Sequence, residues 1–110
     1  MFEFEKITFG NINTAKVTNM KQVFYNCKCL TSIDLSKFVT TSVTTMCEMF
    51  SQCESITPLN ISTFRTPNVV EMYDMFGYCF NLTSIDVSNL DTSNVVSMEY
   101  MFSGCLNLKK

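Results

Sequence analysis

The sequence predicts an α/β fold, a tandem-repeat solenoid of four strand–helix units, and two observations support this. The first is a string of methionine, a hydrophobic residue, phenylalanine and cysteine that recurs every 26 residues without insertion or deletion. The second is the hydrophobic spacing, which alternates within each unit between a helical and an extended pattern. A fixed period of this length is typical of repeat proteins, in which each unit buries its hydrophobic face against its neighbours.

The period extends through the whole chain, because aligned columns hold similar residues in every unit. The most regular columns are Phe24, Phe50, Phe76 and Phe102, and Cys27, Cys53, Cys79 and Cys105. We therefore predict a single repeat domain over residues 1–110. Its units lie at approximately 4–29, 30–55, 56–81 and 82–110, and are called the first to fourth repeats below.

Each repeat contains one predicted helix. In the first repeat Met20, Val23, Phe24 and Cys27 have the i, i+3, i+4, i+7 spacing of one helix face. Threonine, serine and aspartate residues upstream suit N-cap positions. The predicted helices lie near residues 18–27, 44–53, 70–79 and 96–105.

Each repeat also contains one short predicted strand. Ile33 and Leu35 alternate with Asp34, which places Asp34 on the opposite side of the strand. The alternation of phenylalanine and glutamate over residues 2–5 predicts a polar-edged cap, but nothing protects the last strand. Since an unprotected edge invites pairing, we expect that the natural protein continues past Lys110 or that this edge meets another molecule. The predicted strands lie near residues 7–9, 33–35, 59–61 and 85–87 and form a short parallel sheet on one face.

Composition and charge exclude several classes of function. The chain has 110 residues, a net charge of −2 and no histidine. It lacks the basic surface that nucleic acid requires, and no hydrophobic run is long enough to insert into a membrane. Without histidine, the commonest general base and the commonest nitrogen ligand of zinc are missing. We therefore predict no enzymatic activity, catalytic residue, cofactor or metal site.

The cysteine column allows three interpretations: small buried thiols, disulfides or metal ligands. Neighbouring helices pack about 8–10 Å apart, whereas a disulfide needs Cα atoms within about 7 Å. Buried thiols are therefore favoured. Cys47 lies outside the column, at a polar position of its predicted helix, and is predicted to be an exposed, reactive thiol.

The outward-facing strand positions form the first candidate binding surface. With strands about 4.8 Å apart, their side chains would form a ladder of carboxylate, amide and hydroxyl groups. Such a ladder could hold a cation or hydrogen-bond a partner, or it could be the solvated face of the repeats. Its residues are Asp34, Ser36, Asn60, Ser62, Asp86 and Ser88.

Aromatic and apolar residues at outward helix positions form the second candidate surface. They are concentrated in the C-terminal half of the chain, and exposed aromatic clusters often mark contacts with a partner. The alternative is that they pack against the adjacent helix. The residues are Tyr73, Tyr78, Phe80, Tyr100 and Leu106.

The fourth repeat resembles a known family most closely. Residues 82–105 read LTSIDVSNLDTSNVVSMEYMFSGC, which is similar to the BspA-like leucine-rich repeats of bacterial surface proteins. The resemblance covers essentially the whole chain and departs at turn positions, at Val39, Arg65 and Pro67. It implies a right-handed, leucine-rich-repeat-like solenoid used for cell adhesion or protein binding.

These observations predict a non-catalytic protein-interaction or adhesion module that presents a repeat surface. The alternative is a structural building block of a surface or viral assembly, formed through stacking of repeats or edges. The expected partner is a protein or cell-surface ligand, and self-association through the C-terminal strand edge is a further expectation. The resemblance implies a cell-surface or extracellular location, although the N-terminal residues lack the pattern of a signal peptide.

Overall fold

The computed structural model of the protein describes residues 6–7, 9–57 and 59–109. Its two strands, β1 (Lys6–Ile7) and β2 (Ser32–Ile33), pair in parallel, with Lys6 opposite Ser32 and Ile7 opposite Ile33. Isolated parallel bridges continue the stacking on another side of the repeats. They join Asn19 to Thr45, Thr45 to Glu71 and Glu71 to Ser97.

The predicted α/β solenoid of strand–helix units is wrong, because no helix occurs among the described residues. Two columns of each repeat have a positive φ, and a residue with positive φ cannot continue a right-handed helix. In the second repeat these residues are Glu48 (φ 58°) and Gln52 (φ 63°). The other members of the two columns are Gln22, Asn26, Asp74, Tyr78, Tyr100 and Gly104.

A succession of tight turns replaces each predicted helix. Alternate backbone amides close turns within the repeat; for example, Met49 N donates to Met46 O (3.2 Å) and Cys53 N to Phe50 O (3.2 Å). The intervening amides donate to the next repeat, as Phe50 N does to Met75 O (2.9 Å). The full set from the second to the third repeat is Met46 to Glu71, Glu48 to Tyr73, Phe50 to Met75 and Gln52 to Gly77.

The predicted strands at 59–61 and 85–87 are also absent. Side-chain oxygens instead form Asx turns, in which Asn60 Oδ1 accepts a hydrogen bond from Ser62 N (2.9 Å). This turn bends the backbone where a strand would have to stay extended. The proposed cap at residues 2–5 lies outside the described residues.

The repeat columns pack into a continuous core along the stack. Rings of the phenylalanine column lie parallel, with centroids 5.5 Å apart between Phe24 and Phe50 and 5.7 Å between Phe50 and Phe76. A buried threonine in each of the first three repeats links it to the next. Thr40 Oγ1 donates to Arg65 O (2.6 Å) and accepts from Arg65 N (2.8 Å). The repeats thus contact one another directly through both backbone and side chains.

Candidate interaction surfaces

An open crevice of about 420 Å³ lies between the third and fourth repeats and brings three predicted aromatic residues together. Tyr73, Tyr78 and Tyr100 line it, and Tyr78 and Tyr100 are exposed. Phe80 adjoins it through an edge-on contact with the Tyr78 ring, with centroids 6.1 Å apart. Leu106 is exposed but does not line the crevice. The remaining lining residues are Asp74 and Ser103.

Gly104 makes room for the Tyr78 ring. A Cβ at Gly104 would lie 2.5 Å from Tyr78 Cδ1, and the φ of Gly104 is 75°. Glycine satisfies both conditions without strain. The sequence pattern did not identify this contact, because Gly104 stands in a column otherwise occupied by larger residues.

Cys47 is buried, with 1% of its surface exposed. The prediction of an exposed, reactive Cys47 is therefore wrong. Its Sγ lies 3.2 Å from Thr45 Oγ1, and a hydrogen bond with the Cys47 side chain is the main cause that raises the pKa of Tyr73 to about 12. The tight turns bury this position, whereas a helix would have exposed it.

Asp74 was not identified from the sequence. Its Oδ2 accepts a hydrogen bond from Ser51 Oγ (3.2 Å), but its Oδ1 is buried without a partner among the described residues. Burial raises the pKa of this carboxyl group, opposed by the Ser51 hydrogen bond. A Cβ at Gly77 would collide with the same carboxylate. No pattern in the sequence singles it out, because the positive φ of its column is a property of the folded backbone.

The stretch of sequence that supplies the crevice-lining residues is acidic. Between Arg65 and Lys109 the sequence contains no lysine or arginine. The acids in this stretch are Glu71, Asp74, Asp86, Asp91 and Glu99. An acidic, tyrosine-rich crevice suits a partner that presents cationic side chains.

The predicted polar ladder is exposed at all three repeats that carry it. Each acidic or amide side chain, however, accepts a hydrogen bond from a serine amide two residues on: Asp34 from Ser36, Asn60 from Ser62 and Asp86 from Ser88. The Ser88 hydroxyl also donates to Asp86 and lowers the pKa of that carboxyl group. These side chains therefore stabilise the turns in which they lie.

A second crevice, of about 270 Å³, adjoins the ladder at the second and third repeats. Asp34, Ser36, Asn60 and Ser62 line it, whereas Asp86 and Ser88 do not. The described part of the chain contains no cluster of histidine, cysteine and acidic side chains able to hold a metal ion.

All six cysteines are free thiols. Column thiols donate to a buried carbonyl of the preceding repeat, from Cys53 Sγ to Phe24 O (3.1 Å) and from Cys79 Sγ to Phe50 O (3.2 Å). Burial is the main cause that raises the pKa of both thiols, to about 12 at Cys53. Of the three interpretations, the column has the arrangement expected of small buried thiols.

The fourth repeat exposes residues that are buried in the middle of the stack. Met98 is 48% exposed and Phe102 36%, whereas Met72 and Phe76 in the same columns are fully buried. The backbone amides of this face also lack acceptors within the described ranges. They belong to Met98, Tyr100, Phe102 and Gly104. The unprotected edge therefore lies on this turn segment and not, as predicted, on the last strand.

None of the described residues form a helix that is long and apolar enough to cross a membrane. A family model described as "Mycoplasma protein of unknown function, DUF285" matches residues 1–110. Neither the curated proteins nor the solved structures contain a significant match to the chain. The family match covers every repeat, which agrees with a repeat-type domain.

Proposed function

We propose from the surface of the molecule that the chain, which belongs to the DUF285 family of Mycoplasma proteins, is a non-catalytic protein-interaction module. The observation that carries the proposal is the crevice between the third and fourth repeats, in which Tyr78 and Tyr100 are exposed. Tyrosine is enriched at the energetic centres of protein interfaces, because it buries a large rigid surface and keeps a polar tip.

The acidic surroundings indicate the chemistry of the partner. Asp74 lines the crevice, and Glu71 and Glu99 are close to its lining residues in the sequence. The sequence contains no basic residue between Arg65 and Lys109. A lysine or arginine side chain of a partner would be attracted by these carboxylates and would make cation–π contacts with the tyrosine rings. We therefore propose a cationic protein segment as ligand. The resemblance to BspA-like surface repeats supports a role in adhesion at a cell surface.

Selection from a displayed peptide library tests this function. We expect the selected peptides to be rich in lysine and arginine, and Tyr100→Ala to weaken their binding by about 2 kcal/mol, roughly 30-fold in Kd. Tyr25→Ala is the matched control, because Tyr25 is exposed at the other end of the stack. Equal binding by the two variants, or selection of peptides without basic residues, would contradict the proposal.

A second candidate function is that of a structural building block, which associates through its ends. The open face of the fourth repeat favours it, because Met98 and Phe102 are exposed there. This candidate requires self-association, whereas the first does not. Sedimentation of the isolated chain separates the two.

A further inference from the structure

The two ends of the stack carry opposite halves of the same hydrogen-bond pattern. In the first three repeats, four amides of the turn segment donate to carbonyls of the next repeat, as from Phe24 N to Met49 O (2.9 Å) and from Phe76 N to Met101 O (3.0 Å). A single bond at the start of the segment runs the other way, as from Val70 N to Thr44 O (2.8 Å). The fourth repeat therefore ends in a row of donors. The first repeat begins with a row of carbonyls that accept no bond from the described residues, those of Asn19, Lys21, Val23 and Tyr25.

We infer that the fourth repeat of one copy binds the first repeat of a second copy, head to tail. The open face of the fourth repeat is thus covered by the backbone carbonyl groups of the first repeat of another chain. The amides of Met98, Tyr100, Phe102 and Gly104 would donate to the carbonyls of Asn19, Lys21, Val23 and Tyr25. Contact between two fourth repeats is disfavoured, because it would oppose two rows of donors and leave all of them unsatisfied.

The apolar surfaces at the two ends also fit this arrangement. Met98 and Phe102 are exposed on the fourth repeat, and Val23 is 47% exposed on the first. Val23 stands in a column whose members in the second and third repeats, Met49 and Met75, are fully buried. Association in the same register would place Phe102 against Phe24, which is already buried. The surface newly removed from water would therefore be that of Met98, Phe102 and Val23.

Charge supports the same polarity. The turn region of the first repeat carries Lys16, Lys21 and Lys28, and the fourth repeat has only acids before Lys109. Lys21 and Glu99 occupy the same column, three periods apart, so head-to-tail stacking brings them into neighbouring positions. The existing stack contains a contact of this kind between repeats, from Lys28 Nζ to Glu54 Oε2 at 3.9 Å.

This inference rests on the building-block function and specifies its contact. A head-to-tail contact uses two different surfaces, so it does not close on itself in a dimer and generates a series of oligomers. The tyrosine crevice uses the side chain of Tyr100, whereas the donor row uses its amide.

Sedimentation velocity of the 110-residue chain at increasing concentration, with charge-reversed variants, tests the inference. We expect the wild type to form dimers and longer species. Glu99→Lys alone and Lys21→Glu alone should each weaken association by about 10-fold or more, because like charges then meet at the contact. An equimolar mixture of the two variants should restore association, since each contact then pairs opposite charges.

Matched controls are Glu71→Lys and Lys37→Glu, which make the same charge changes away from the two ends, and circular dichroism checks that each variant is folded. If a reversal impairs folding, Glu99→Gln and Lys21→Gln replace it, with a smaller expected effect. A wild type that stays monomeric at all concentrations would overturn both the inference and the building-block function. Association that Lys21→Glu leaves unchanged would overturn only the head-to-tail contact.

Discussion

Single side chains join neighbouring repeats at buried polar groups of the backbone. Thr66 Oγ1 donates to Asp91 O and accepts from Asp91 N, while Cys79 Sγ donates to Phe50 O. Because an unsatisfied buried carbonyl is costly, these columns need a small side chain with a donor. The recurrence of threonine and cysteine in these columns therefore has a structural cause.

Asp74 differs from these side chains, because its buried Oδ1 has no hydrogen-bond partner among the described residues. Asp74→Asn tests what this buried carboxylate costs in stability. Burial raises the pKa of Asp74 above its ordinary value of 3.8, so its contribution to stability is fully present below that value and is lost as the pH rises through the folded-state pKa. We expect Asp74→Asn to raise the free energy of unfolding at neutral pH by up to about 1 kcal/mol. Asparagine also tolerates the positive φ of this position.

Urea denaturation at neutral pH and at a pH below 3.8 measures this difference. The gain should shrink in acid, where the wild-type carboxyl group is protonated in both states. Asp91→Asn serves as the control, because the pKa of Asp91 is lowered, mainly by the Ser93 hydroxyl, and its titration acts in the opposite direction. A gain that is the same at both pH values would contradict a role for the Asp74 charge.

At the scale of the element, the sequence predicted the hydrophobic residues of the turn segment correctly but not their backbone conformation. Met46, Met49, Phe50 and Cys53 are all fully buried, as their spacing predicted. The same spacing fits a succession of turns in which every second amide bonds to the next repeat. Gln52, with a φ of 63°, carries no sequence signal for a left-handed conformation, because glycine is absent there.

Gln52→Gly distinguishes the two conformations. In a helix interior the change would cost about 1 kcal/mol, but at a left-handed position it removes strain of similar size. We therefore expect no loss of stability, or a small gain, in chemical denaturation. Glu54→Gly is the control, since the φ of Glu54 is not positive and the substitution should destabilise. A loss at Gln52 equal to that at Glu54 would indicate a right-handed backbone.

At the scale of the whole molecule, each repeat is stabilised by the neighbours on its two sides, so the ends differ from the middle. The period, the four repeats and the core columns follow from the sequence alone. The location of the open face does not follow from the sequence, because it depends on the direction in which the amides of the turn segment point. The tyrosines of the crevice were predicted to lie on the exterior, but Asp74 and Gly104 joined them only through the backbone turns.

Alanine substitutions along the phenylalanine column measure this difference between middle and end. Phe76 stacks on Phe50 and on Phe102, at 5.7 Å and 5.4 Å, and is fully buried. We expect Phe76→Ala to lower the free energy of unfolding by about 3–5 kcal/mol. Phe102→Ala should cost less than half as much, because Phe102 has a neighbouring ring on one side only. Equal losses, measured by denaturation of dilute protein, would contradict an open end.

The alignment of the peptide groups has an electrostatic consequence. The peptide between Thr45 and Met46 points its carbonyl at the first repeat and its amide at the third, and three further peptides of the second repeat do the same. Their dipoles add along the stack, as they do in a helix, with the positive pole at the fourth repeat. Glu99 lies at that pole and Lys21 at the other, so the side-chain charges offset a field that the backbone itself creates.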